Sequence, residues 1–143
     1  MRLENFEVSS DIELQSGNLS WDLYNFADFD RLELISTENA AMMRWSVPSS
    51  PNPWGCYENN SSGMALRFKD LRFLHVGSRD KGLPLTEDTC VSYVLKVDPT
   101  IDAVDPYLRT RNDWKEDFRL VFHFQSGRMI EIESESVELI PIS

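Results

Sequence analysis

DFRLVFHFQSGRMIEIE, Asp117 to Glu133, is the stretch whose reading decides the fold. Phe118, Leu120, Phe122 and Phe124 alternate with Arg119, Val121, His123 and Gln125. A period of two is the mark of a pleated strand with one buried face. Ser126-Gly127 interrupts the run, and Met129, Ile130 and Ile132 resume it. The stretch therefore predicts a β-hairpin. A two-residue Ser126-Gly127 loop would set Phe122 opposite Glu131, a carboxylate against a phenylalanine. A three-residue loop, Gln125-Ser126-Gly127 with Gly127 in the left-handed conformation, instead pairs Phe124 with Arg128, Phe122 with Ile130 and Leu120 with Ile132. Glycine enters that conformation without steric cost. The longer loop is the expected one, with Met129, Glu131 and Glu133 on the wetter face beside Val121 and His123.

A hairpin with one apolar face needs cover, and the rest of the chain offers more strands. Leu3 to Val8 reads as a first strand, followed by a polar stretch from Ser9 to Ser20 with a turn at Gly17. Trp21 to Phe26 fits a bulged strand or a helical turn. Asp28 to Ser36 and Ala41 to Val47 read as a pair turning at Asn39-Ala40. Met64 to Phe68 and Leu71 to Val76 alternate on either side of Lys69-Asp70, which marks a turn or a phase-resetting bulge. Cys90 to Val97 is rich in β-branched and aromatic residues and reads as a strand preceded by Thr86-Glu87-Asp88, though a short helix fits the same stretch. Thr100 to Trp114 is mostly loop with room for one helical turn. Ser136 to Ile142 is a last strand, and Pro141, which has no N–H to donate, predicts that it lies at a sheet edge. The fold class expected is all-β: one domain over residues 1–143, an antiparallel sandwich or open barrel of eight or nine strands with long loops.

Two loops stand apart. PSSPNPWGCYENNSSG, Pro48 to Gly63, is too rich in proline and glycine to pair regularly and too long to be a simple connection. Ser78 to Glu87 is the second. If both lie at one end of the sheet, Trp54 and Tyr57 supply aromatic anchors and Arg79 and Lys81 a basic rim, the candidate binding residues.

The net charge of −10 is uneven: residues 1–38 hold nine acids against two bases, while residues 39–97 hold five against seven. Such a chain is repelled by phosphate backbones, which argues against nucleic acid and leaves another protein as the expected partner. Cys56 and Cys90 form no framework, and no apolar window is long enough to span a bilayer or serve as a leader. A cytoplasmic location and a membrane-free role follow as expectations. The edge strand ending in Pro141 leaves self-association open.

Chemistry is hard to place. His75 and His123 are the only histidines and have no metal-binding spacing. Asp98, Asp102 and Asp105 lack the closely alternating carboxylates and turning glycine of a calcium loop. Cys90 reads as a core thiol, and no nucleophile elbow or phosphate loop is present. No catalytic residue, metal or cofactor is expected. An enzyme built on an acidic pair or on Cys90, and a small-molecule or carbohydrate binder using Trp54 and Trp114, are the alternatives.

The stretch ALRFKDLRFLHVGSRDKGLPLTEDTCVSYV, Ala65 to Val94, with Phe68, Leu71, Leu74 and Val76 followed by Pro84 and Glu87-Asp88, resembles the central motif of small bacterial all-β proteins of unassigned function, some of them immunity proteins found beside polymorphic toxins. The resemblance covers about 30 residues, mostly of core type. It implies a protein-binding role with an acidic surface and carries over no catalytic residue.

Overall fold

The computed structural model describes residues 1–47, 62–114 and 117–142. Among them are ten strands, three short 3-10 turns and no α-helix. The strands are β1 (Arg2–Leu3), β2 (Glu7–Val8), β3 (Glu13–Ser16), β4 (Leu19–Asp22), β5 (Asp28–Ile35), β6 (Ala40–Ser46), β7 (Gly63–Val76), β8 (Val91–Val97), β9 (Arg119–Phe124) and β10 (Met129–Ile142). One seven-stranded sheet runs β5-β6-β7-β10-β9-β8, with β1 added in parallel to the far half of β10. A small meander, β2-β3-β4, forms the second sheet.

The opening hairpin is as its sequence predicts. Ile130 pairs with Phe122, Ile132 with Leu120, Met129 with His123 and Glu131 with Val121. Gly127 has φ +83°, and Phe124 N–H donates to the Arg128 carbonyl at 2.8 Å.

β7 and β10 are the two long strands, and both turn a corner. Leu71 pairs with Ser134 and Phe73 with Glu133, so Arg72 is the extra residue of a bulge, two positions after Asp70 at φ +56°. The side chain facing inward changes phase there: Ile130 and Ile132 on one side of the corner, Val137 and Leu139 on the other. A bulge bends a strand and adds twist, which is how one sheet curls towards a half-barrel. The curl brings distant strands into contact. Phe29 of β5 lies 4.9 Å from Phe124 of β9, and Trp45 of β6 lies 5.7 Å from Phe122. The small sheet adds Leu14 and Trp21, and Leu23 just beyond it, to the same buried core.

The C-terminal strand corrects an expectation. β10 begins at Met129 and lies inside the sheet, between β7 on one side and β9 and β1 on the other. Pro141 is tolerated for a local reason. Ser62 N–H donates to the Ile142 carbonyl, so even-numbered residues here face β7. The alternate residues face β1, where Val137 accepts from Glu4 N–H and Leu139 exchanges two hydrogen bonds of 2.8 Å with the Asn5 side chain. Pro141 is next on that side, past the end of β1, where no ladder bond is lost.

Two other boundaries differ. Ser9 to Ser20 is not merely polar loop: it holds β3 and the first half of β4, turning at Gly17 with φ +60°. Leu3 to Val8 divides into β1 and β2, which belong to different sheets.

Candidate functional site

The sheet curls without closing, and the opening is the site. Its walls are β5 and the second half of β7. β6 covers β7 only from Gly63 to Phe68, so residues beyond the bulge have β10 on one side and, among the described residues, no strand on the other. The backbone directions follow from single hydrogen bonds. Val47 N–H donates to Ser62, so the odd-numbered residues of β6 face β7 and the even-numbered ones face β5. Their register partners Arg31, Glu33 and Ile35 are tied to β6, which leaves Leu32 and Leu34 turning their N–H and C=O groups outwards. On the opposite wall Gly77 N–H donates to Met129, so Leu74 and Val76 turn theirs away from β10. Among the described residues, no backbone hydrogen bond reaches these four outward-facing residues.

Their side chains line the inside of the curl. A groove of about 330 Å³ is lined by the apolar Phe29, Leu32, Val76, Phe124 and Ile130 and by the polar Asp30, Arg31, Asp88, Thr89 and Arg128. Leu34 is 61% exposed and Val76 46%, high values for apolar residues on an inward face. One end of the opening is closed by the Leu71 N–H bond to the Asn39 carbonyl at 2.9 Å, the other by the Phe29–Phe124 ring contact. The outer side of β5 is acidic. Asp28, Asp30 and Glu33 stand against one base, Arg31, which pairs with Asp30 at 2.8 Å and with Glu33. The Arg31 hydrogen bond holds the Glu33 carboxyl below its ordinary range.

The sequence-predicted residues are placed as follows. Trp54 and Tyr57, with Cys56, lie outside the described residues. Arg79 is a structural staple: its Nε donates to both Asp88 oxygens at 2.9 and 3.0 Å, and its Nη2 to the Leu83 and Pro84 carbonyls at 2.9 Å. Hydrogen bonds from Ser126 and Arg79 hold the Asp88 carboxyl low. Lys81 is exposed at the loop tip. The two loops do not share an end of the sheet at their anchors, because one enters β7 at Gly63 and the other leaves it after Val76.

The convex face of β8, β9 and β10 carries the densest charge, and it is structural. Residues 98–114 strap across it, with Asp98 N–H donating to the Arg109 carbonyl at 2.8 Å. Arg109 and Arg119 converge on Glu131, and Arg119 also reaches Glu133 at 3.1 Å while lying 3.6 Å over the Phe73 ring. Burial pushes Glu131 up, but the hydrogen bonds and charges of the two arginines outweigh it and hold the carboxyl below its usual range. His123 stacks on Tyr93 at 4.6 Å, Tyr107 packs on the other contact of Tyr93 at 4.8 Å, and Tyr107 Oη donates to Asp11 at 3.1 Å. Burial, with the charge of Asp105 behind it, pushes the Tyr93 phenol up to about 12, and burial pushes His123 down.

The groups weighed for catalysis are occupied with folding. The Cys90 thiol is pushed up by burial and by Glu87, Asp28 and Asp22, the reverse of an activated nucleophile. Asp98 accepts from Thr100 N–H and Oγ1 and pairs with Arg111 at 3.0 Å, and Asp105 accepts from Tyr107 N–H. Among the described residues no group of three or more His, Cys, Asp or Glu could hold a metal ion, and no helix is long and apolar enough to cross a membrane. Trp114 is half-buried, edge-on to Phe118 with Arg111 over its ring.

No family model matches the chain, and neither does any curated protein or solved structure. The groove was missed in the sequence because Leu32, Leu34, Leu74 and Val76 alternate as core residues do.

Proposed function

We propose that the chain is a non-enzymatic protein-binding domain of the adaptor or immunity type, acting in the cytoplasm, and that it binds its partner in the open groove between β5 and β7. The observation that supports this reading is the pair of unpaired strand edges enclosing apolar side chains, with Leu34 and Val76 exposed. An open edge beside an apolar floor offers main-chain hydrogen bonds for affinity and pockets for alternate side chains, the two components of strand-mediated recognition. The net charge of −10 supports a protein partner over nucleic acid, and the resemblance over Ala65 to Val94 points the same way. Trp54, Tyr57 and Lys81 remain candidate binding residues.

Affinity capture from the native host with the full chain, beside a Leu34→Lys/Val76→Lys variant, tests the reading. A protein recovered by the first and lost by the second is the expected result. Recovery of the same proteins by both, or of none, would sink it.

A further inference from the structure

We infer that the groove's partner is an extended segment alternating basic with apolar residues, which adds to the open edge of β5 as a further strand. This rests on the protein-binding reading and names the chemistry that it requires.

β5 has two chemically different faces. Phe29, Leu32 and Leu34 point into the curl; Asp28, Arg31 and Glu33 point outwards, with Asp30 bulged from the ladder. Side chains in a sheet keep to one face across neighbouring strands, so a strand added at this edge places alternate residues beside each set. Those beside Leu32 and Leu34 reach the groove floor of Phe29, Val76 and Ile130 and need to be apolar. Those on the outer face meet three carboxylates and the Arg31 guanidinium that already pairs with two of them, with Arg44 one strand further in, beside Arg31 and Glu33. Opposite charges across a strand pair stabilise it and like charges directly opposite do the reverse. Lysine or arginine is therefore favoured at the outer positions.

The same charges reject the commonest competitor. A second copy pairing edge to edge would bring another Asp28, Asp30 and Glu33 against the first set, on chains that each carry −10. Charges on an exposed edge are a usual defence against self-pairing, and a basic partner is the one class they do not exclude. The other wall lacks this bias: the β7 edge presents Arg72 and His75.

The test uses the full chain and two capped synthetic peptides of equal length, one alternating lysine with valine and one alternating glutamate with valine. Amide hydrogen exchange followed by NMR reads the site, and titration at low and high salt reads the affinity. The expected result is binding of the lysine peptide at least about tenfold tighter than the glutamate peptide, weakening with salt, and new protection at the Leu32 and Leu34 amides. Two variants sharpen it. Leu34→Pro removes an outward N–H without touching the ladder to β6 and should weaken binding about tenfold; unchanged exchange at the Phe122 and Ile130 amides verifies that it folds. Asp30→Lys/Glu33→Lys should reverse the preference to the glutamate peptide. Protection at β7 or β8, equal binding of both peptides, no binding of either, or an unreversed preference would each overturn the inference. Groove-dependent capture of a partner alongside any of those outcomes would leave the protein-binding reading intact; loss of both would end it.

Discussion

Gly127 and Gly63 illustrate how differently two glycines can be required. Gly127 sits at φ +83° with its nearest outside neighbours, atoms of Asp80, at 3.8 Å, so an added methyl meets space and only the backbone conformation is strained. Gly127→Ala should cost about 1 kcal/mol. Gly63 has no such conformation, but a Cβ there would collide with the Trp45 carbonyl oxygen across the β6–β7 pair. That oxygen belongs to the ladder and cannot swing aside, so Gly63→Ala should cost at least about 3 kcal/mol. Urea denaturation of the two variants checks the order. The first requirement is legible in the sequence, because the hairpin's register demands a left-handed residue; the second depends on a strand partner the sequence does not name. Arg79 shows the opposite limit. At a loop tip its sequence context reads as a recognition residue, yet its guanidinium is spent on Asp88 and two carbonyls of its own loop. Arg79→Ala should therefore lower stability by about 1 kcal/mol, the modest value fitting a partly solvated pair. If thermal denaturation shows no loss, the staple is not what holds the loop.

Elements were read well where one face is apolar and the other polar, and badly where the strand changes phase or is thinly buried. β3 and β4 each contribute a single fully buried side chain, Leu14 and Trp21, too few to print an alternation on ELQS or LSWD. β10 reads as two strands because Ser134-Glu135 looks like a break, yet Ser134 and Ser136 are buried and Ser134 Oγ donates to the Ser136 carbonyl at 2.8 Å. Small hydroxyls that bond locally are what a strand can hold at a tight corner. The strap over residues 98–114 has one 3-10 turn, Pro106–Arg109, as its only regular structure and is held by ionised carboxylates. Glu131 and Asp98 both have carboxyls held below their ordinary range, Glu131 as described and Asp98 by its Thr100 hydrogen bonds first and Arg111 after. A depressed folded pKa means stabilisation that is fully present above the unfolded value and lost as pH falls through the folded one. The strap should thus stay docked at neutral pH and loosen at pH below the ordinary carboxylate range, before the core of the sheet opens. Faster exchange of the Asp98 and Tyr107 amides than of the Phe122 amide during an acid titration is the expected sign. Glu131→Gln should loosen the strap already at neutral pH, and an unchanged exchange rate in that variant would show that Glu131 does not hold it.

At the scale of the molecule, the all-β class and an open, barrel-like sheet were legible in the sequence, and the place where the sheet opens was not. Regular alternation announces strands, but nothing in the sequence says that β7 outruns β6, and that mismatch creates the opening. Twelve residues of β7 pair with β10, while β6 pairs with only six. The uncovered half of β7 and the strand-free side of β5 then face each other, joined by the Asn39–Leu71 bond at one end and the Phe29–Phe124 contact at the other. Leu34 and Val76 thus have the sequence pattern of core residues without the burial of core. The distinction has a thermodynamic consequence. A core residue replaced by a polar one of similar shape leaves an unsatisfied group and destabilises the fold by several kcal/mol, roughly 2 or more. A residue already half in water loses little, so Leu34→Thr/Val76→Thr should shift stability by no more than about 1 kcal/mol in total. The same double variant should lower the native-state fluorescence of an added apolar dye, because the exposed patch that would bind it is gone. If instead the variant unfolds cooperatively at much lower urea while the native protein binds no dye, Leu34 and Val76 are buried in solution and the groove is closed. Preserved stability with lost dye binding is the outcome the open edge requires, since it separates side chains kept for a partner from side chains kept for folding.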